Sequence, residues 1–222
     1  MKKRRYQQYC PIAYSLDIIG ERWTLLIVRE LGLGARRFTD LQRGLPTMGS
    51  NLLSHRLKSL EESEVIKAVP LPPPARVTAY QLTEAGKSLA QAMVPLVQWG
   101  MNFMPNVIPD DEFVGAIQAI SALRLMHQPT LGAEESLSAE IHIKPDVFRI
   151  TLQRDEITIE QSYASEAPLV LHTEPKAIFH MVHEGYPPQA LAEKMGVSIE
   201  RGDPDLVNRF FSQFTLPYFM QP

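Results

Sequence analysis

Leucines 53, 57 and 60 recur at helical spacing through TMGSNLLSHRLKSLEESEVI (47–66). On a helix turning about 100° per residue they share one side, with Leu52 at its margin. Asn51, Ser54, His55 and Lys58 fall on the other side, and Ser50 lies beside them near the start. No carboxylate joins that polar side until Glu61 and Glu62 in the last turn.

The neighbouring pattern is also helical. PIAYSLDIIG (11–20) spaces Ile12, Leu16 and Ile19 for one face, with Pro11 in the first turn and Gly20 as a stop. ERWTLLIVRELGLG (21–34) is apolar almost all round and predicts a central helix. RRFTDLQRGLP (36–46) gives a short helix around 38–43, ended by Gly44 and Pro46. Short helices joined by a tight glycine-containing turn at 47–49 make a helix-turn-helix pattern. VIKAVPLPPPARVTAYQLT (65–83) reads as two strands around the proline-rich tip Pro70, Pro72–Pro74. Thr83 then caps a long helix over 84–104, with Pro95 inside it.

From PNVIPDDE (105–112), a linker pattern, the texture changes. A helix is expected at 113–127 and strands at 138–143, 147–153, 156–163 and 168–172, several alternating with period two. The chain then returns to helix at 173–185, opened by Thr173 and Pro175, and at 187–196. A strand at 197–200 follows, then a last helix at 202–214 with Asp203 as cap and Pro204 at its first position. The fold class expected is α+β: a winged helix-turn-helix domain over 1–106 and a small α+β domain, sheet with helices, over 107–222.

Charge divides the chain at the same place. Residues 1–106 carry 14 Lys+Arg against 8 Asp+Glu, and residues 107–222 carry 8 against 17, which together give the net −3. A basic half suits a polyanion, because neutralised phosphates release counterions, whereas the acidic half would be repelled. The single cysteine, Cys10, allows no internal disulfide and suits a reducing compartment. With no secretory pattern and no apolar run of membrane-spanning length, a cytoplasmic protein without membrane contact is expected.

The polar side of the 50–62 helix therefore has a candidate role. Asn and Ser pair with base edges, Lys meets phosphate or guanine, and none of these repels DNA. A solvated face is the bland alternative. The surroundings favour DNA: Arg36, Arg37 and Arg43 precede the helix, and Lys67 and Arg76 sit on the hairpin. Arg56 lies beside the leucines, so an ion pair within the chain or a flanking phosphate is as good a reading as a base contact.

Residues 9–104 resemble the HxlR-type winged-helix regulators, relatives of the MarR group. The matching residues are Cys10-Pro11, Gly20-x-Arg22-Trp23-Thr24, RRFTDLQRGLP, Leu53-x-x-Arg56-Leu57-x-x-Leu60-Glu61 and Tyr80-x-Leu82-Thr83-x-x-Gly86. The resemblance implies a homodimeric DNA-binding transcription regulator, paired through terminal helices, with one recognition helix on each half-site. Gly49 stands where the family often has Ser, and the wing has three consecutive prolines and a single arginine. The helical wheel and the basic residues around it make Arg37, Ser50, Asn51, Ser54, His55, Arg56, Lys58 and Arg76 the candidate DNA-contacting residues. Some members of the family sense electrophiles through an N-terminal cysteine, so Cys10 is either a redox switch or a small residue packed in a dimer interface.

The second half shows no catalytic signature, and the protein is expected not to be an enzyme. His180-x-x-His183-Glu184 is neither the zincin order nor its inversion and reads as a half-exposed helix face. His142 and His172 sit in strands without partner spacing. No metal or cofactor is expected. Thr173-Glu174-Pro175, Gly185, Ala190-Leu191-Ala192, Gly196-Val197-x-Ile199-x-x-Gly202-Asp203 and Phe210-Phe211 are similar to the C-terminal part of sterol carrier protein type-two-like domains. That resemblance implies binding of an acyl or other apolar molecule, so the second half either takes an apolar effector or serves only for further dimer contact and stability. Phe113, Ile117, Ile120, Leu123, Phe179, Phe210 and Phe211 would line a pocket or form a core equally well. The rival reading is a lipid or acyl carrier, or an accessory protein, whose winged helix makes protein contacts.

Overall fold

The structure is a computed structural model that describes residues 5–71, 77–105, 107–128, 135–154, 156–161, 166–183 and 186–214. The chain folds as two compact units, residues 1–98 and 99–222. Among the described residues no helix is long and apolar enough to cross a membrane.

The first unit runs α1 (Pro11–Ile19), α2 (Thr24–Leu31), β1 (Arg36–Arg37), α3 (Phe38–Gly44), α4 (Ser50–Glu62), β2 (Ile66–Pro70), β3 (Thr78–Leu82) and α5 (Glu84–Met101), the last crossing into the second unit. Leu53, Leu57 and Leu60 all point inward, as their spacing requires, and join Ile27, Val28 and Leu31 of α2 with Leu41, Leu45 and Met48 of the α3 region. The hairpin closes this core with Val65, Ile66 and Leu82. Its strands pair antiparallel, Ile66 opposite Leu82 through Pro70 opposite Thr78. The tip, including Pro72–Pro74 and Arg76, lies outside the described residues.

Two details depart from the sequence expectation. The helix read as 21–34 is shorter, because Trp23 adopts a left-handed φ of 79° and only Thr24 onward is helical. Arg36 and Arg37 are strand rather than approach to a helix: they add a third strand, β1, beside β3, with Arg36 opposite Tyr80. Arg36 is consequently buried, 3% exposed, and is not part of the basic surface expected of it.

Thr83 explains how α5 is anchored. Its hydroxyl accepts from Gly86 N–H (3.1 Å), capping the helix, and donates to Glu64 O (2.5 Å), with Val65 O 3.1 Å away. Gly86 is needed at that contact: a Cβ there would stand 2.1 Å from Val65 O. Gly44 is similarly constrained, since a Cβ would lie 2.2 Å from the carboxylate of the buried Glu30.

In the second unit α6 (Ala116–Met126) precedes β4 (Ser136–Ile143), β5 (Asp146–Gln153), β6 (Glu156–Gln161) and β7 (Leu169–His172). Then come α7 (Pro175–His183), a 3-10 turn at Pro188–Leu191, α8 (Ala192–Met195), β8 (Ser198–Arg201) and α9 (Pro204–Phe211). The sheet order is β6-β5-β4-β7-β8, antiparallel except for the parallel pair β4–β7. Period-two alternation gives the sheet one apolar face, with Ala139, Ile141, Ile143, Phe148, Ile150 and Leu152 buried. Ile117, Ile120, Leu123, Phe210 and Phe211 are buried too, so they serve as core, while Phe113 is half exposed and Phe179 half-buried.

Asp203 caps α9 as expected, accepting from Leu206 N–H at 2.8 Å. Thr173 does not cap α7. It continues the strand pairing, donating its N–H to His142 O (2.9 Å), and its hydroxyl donates to Glu174 O instead of accepting from the helix.

Candidate nucleic-acid interface

The turn before α4 is fixed from inside. Leu45 and Met48 are buried on either side of it, Met48 N–H donates to Leu45 O, and Gln42 Nε2 donates to Met48 O at 2.5 Å. Gly49 is the N-cap, in extended conformation, and offers no side-chain cap. The first N–H groups of α4 are thus not satisfied by a capping side chain, which is the property that lets a helix N-terminus meet a phosphate.

Ser50, Asn51, Ser54, His55 and Lys58 are all exposed. Among the described residues none of these five side chains is engaged in a hydrogen bond or ion pair, so the row is available to an outside partner. No acid interrupts it; Glu61 and Glu62 come at the helix end, where Glu61 Oε1 accepts from Ala68 N–H of the hairpin (3.3 Å). This is a continuous, carboxylate-free polar strip standing directly over a fully packed leucine side.

Arg56 is differently placed. Its guanidinium is mostly buried, 14% exposed, and Nη2 lies 2.6 Å from Glu21 Oε2. Of the readings open for it in the sequence, the ion pair within the chain is the one observed. It ties α4 to the turn between α1 and α2.

Arg37 is exposed at the start of α3 and is gripped by Asp40, with Nε 2.8 Å from Oδ2 and Nη2 2.9 Å from Oδ1. Arg43 Nη2 approaches the same carboxylate at 3.2 Å. Asp40 also accepts from Arg37 N–H (3.2 Å), bonding the first turn. Burial works to raise the Asp40 carboxyl, but the hydrogen bonds and charge of Arg37, with the charge of Arg36, outweigh it and hold the group below its ordinary 3.8. A depressed folded-state value means Asp40 stabilises this unit fully above its unfolded pKa and loses that contribution as pH falls through the folded value. The difference in unfolding free energy between wild type and Asp40→Asn is therefore expected to be constant from pH 7 to about 5 and to shrink below the ordinary value. Urea titrations at stepped pH measure it, and a difference that grew on acidification would contradict the assignment.

Asp40 was not singled out by sequence reasoning, although an acid three residues after Arg37 and three before Arg43 is a visible i,i+3 signal. Lys67 is exposed on β2. Arg76 lies outside the described residues. Cys10 is half-buried at the N-cap of α1, its side chain making no cap bond. His180 is half-buried, and among the described residues no three His, Cys, Asp or Glu side chains converge on a metal position.

The HxlR-like helix-turn-helix family model matches residues 18–107. The HTH-type transcriptional regulator YvaP of Bacillus subtilis is 35% identical over 99 residues, which are 44% of this chain and 91% of YvaP. The chain belongs to the HxlR family. The HTH-type transcriptional regulator Rv3095 of Mycobacterium tuberculosis is 43% identical over 99 residues, 43% of this chain and 60% of that protein. This HxlR-family chain thus spans less than two thirds of the mycobacterial relative. The crystal structure of a putative HTH-type transcriptional regulator, ytcD, aligns with a TM-score of 0.40 and 29% identity over 42% of this chain and 96% of its own. The family match covers residues 18–98 of the first unit and continues to residue 107, and the HxlR motifs fall on parts that set the first unit's geometry: Arg56 on Glu21, Leu53, Leu57 and Leu60 in the core, Thr83 and Gly86 at the base of α5.

Proposed function

We propose that the protein is a DNA-binding transcription regulator that places α4 in the major groove as a homodimer on a two-fold operator. Ser50, Asn51, Ser54, His55 and Lys58 meet base edges and phosphates, and Arg37 meets a flanking phosphate. Arg76 acts from the hairpin, and Arg56 has a second-rank role through the position of α4. The observation that carries this reading is the exposed polar strip of α4, free of carboxylates along its length.

The dimer is supported by α1. Of its nine residues Ala13 alone is buried, while Ile12, Tyr14, Leu16 and Ile18 are exposed. A helix with that much apolar surface is stable only against a second apolar surface, and a second copy supplies one. Val94, Leu96 and Val97 of α5 are exposed in the same manner.

The second unit is read as a sterol-carrier-like module for an apolar effector. Its five-stranded mixed sheet accompanied by helices is compatible with this, and an open cleft of about 400 Å³ lies at Phe113, Val114, Pro175 and Met195, with the charged Glu112, Glu174, Lys176 and Lys194 completing its lining. Coupling requires the effector to favour one dimer geometry over another. The protein acts in the cytoplasm, without catalysis.

A gel shift on the DNA upstream of the protein's own coding region tests the reading. A site-specific complex is expected, with affinity falling roughly 10³-fold between 50 and 200 mM salt if about six phosphates are neutralised. Absence of any sequence preference at either salt concentration would refute it.

A further inference from the structure

The second unit carries a polar cluster remote in sequence from α4. Because β4 and β7 run parallel with His142 opposite His172, the two imidazoles stand side by side, ring centroids 4.4 Å apart. Each ring is held by a carboxylate through the same nitrogen. His142 Nε2 is 2.8 Å from Glu140 Oε1, two residues earlier on β4, and His172 Nε2 is 2.6 Å from Glu200 Oε2 on β8. Glu140 is almost wholly buried, whereas the two rings are about a quarter and a third exposed.

These bonds decide the tautomer. An ionised carboxylate can only accept, so each Nε2 carries the proton and each neutral ring keeps its lone pair on Nδ1. Among the described residues no group hydrogen-bonds either Nδ1. A carboxylate on the far nitrogen of an imidazole is the arrangement that orients histidines on metal ions and raises their basicity. Here it occurs twice, on neighbouring rings of one sheet face.

Glu140 and Glu200 contribute two negative charges. Arg149 Nη2 lies 4.0 Å from Glu140 Oε2, and Arg201 is turned to Ala167 O. No third side chain converges among the described residues, so solvent would complete the coordination. Two imidazoles suit zinc, nickel or copper rather than magnesium or calcium.

We propose that this sheet face is a binding site for a divalent transition-metal ion, ligated by Nδ1 of His142 and Nδ1 of His172 and oriented by Glu140 and Glu200. The inference does not depend on DNA binding.

Titration of the full chain with Zn²⁺ alone, followed by calorimetry, tests it. One ion per chain is expected, retained in His55→Ala. Binding should weaken about 10–100-fold in Glu200→Gln, which removes an orienting charge without touching a ligand. It should be lost in His142→Gln/His172→Gln. Cu²⁺ at one equivalent should show two imidazole nitrogens by electron paramagnetic resonance in the wild type and one in His172→Gln. Equal Zn²⁺ affinity in wild type and the double variant, or a single coordinated nitrogen in the wild type, overturns the proposal. Should circular dichroism show the double variant unfolded, the partly exposed His172→Gln change decides alone: an unchanged copper spectrum refutes the site.

Discussion

Replacing Asn51, His55 and Lys58 together by alanine is expected to weaken site-specific DNA binding by roughly 10³-fold while leaving folding and dimerisation intact. Each good base contact discriminates by about 1–3 kcal/mol, and loss of one phosphate contact adds a sequence-independent part. The three side chains are exposed and bond to no described residue, so their removal is expected to alter stability by no more than about 0.5 kcal/mol. Fluorescence anisotropy with operator DNA, beside a thermal melt and sedimentation of the free protein, separates these effects. Undiminished affinity in a folded triple variant would show that another surface meets the DNA. The same substitution also distinguishes the rival carrier reading, in which this row of side chains has no DNA to lose.

Leu57→Ala acts from the opposite side of the same helix. Leu57 is 1% exposed between Leu53 and Leu60, in contact with the core formed by α2 and the hairpin. Truncating a leucine so enclosed removes transfer free energy and leaves a cavity, together about 2–5 kcal/mol. That is a large share of the roughly 5–15 kcal/mol that holds a typical domain together. Urea unfolding followed by a probe in the first unit should show a lower midpoint with little change in slope. A shift under 1 kcal/mol would mean the leucine side is far less packed than described. DNA binding by this variant should fall only in proportion to the unfolded fraction, because no polar side chain of α4 has changed.

Local patterns were the legible ones. The leucine spacing of α4, the strand alternation of β4 and β5, the Thr83 cap and the Asp203 cap each depend on residues within a turn or a strand of one another, and each is observed. What stayed hidden depends on partners far along the chain. Arg56 meets Glu21 across 35 residues, so its ambiguity on the helical wheel could not be resolved before folding. Arg36 looked like surface charge because nothing adjacent shows that β3 will pair beside it and enclose it. Thr173 and Pro175 gave a good helix-start signal, but the parallel pairing of β4 with β7 took the threonine into the sheet instead. The same pairing brought together two histidines that had no sequence spacing to connect them.

The carboxylate of Asp40 grips Arg37 through two bonds and also reaches Arg43. A long cationic side chain normally loses rotamer freedom worth about 1–2 kcal/mol when it is immobilised. Much of that ordering is already complete in the free protein, so a phosphate approaching α3 would find guanidinium groups held in place rather than sweeping through solvent. Affinity gained in this way comes from rigidity present beforehand, without any additional contact to the ligand.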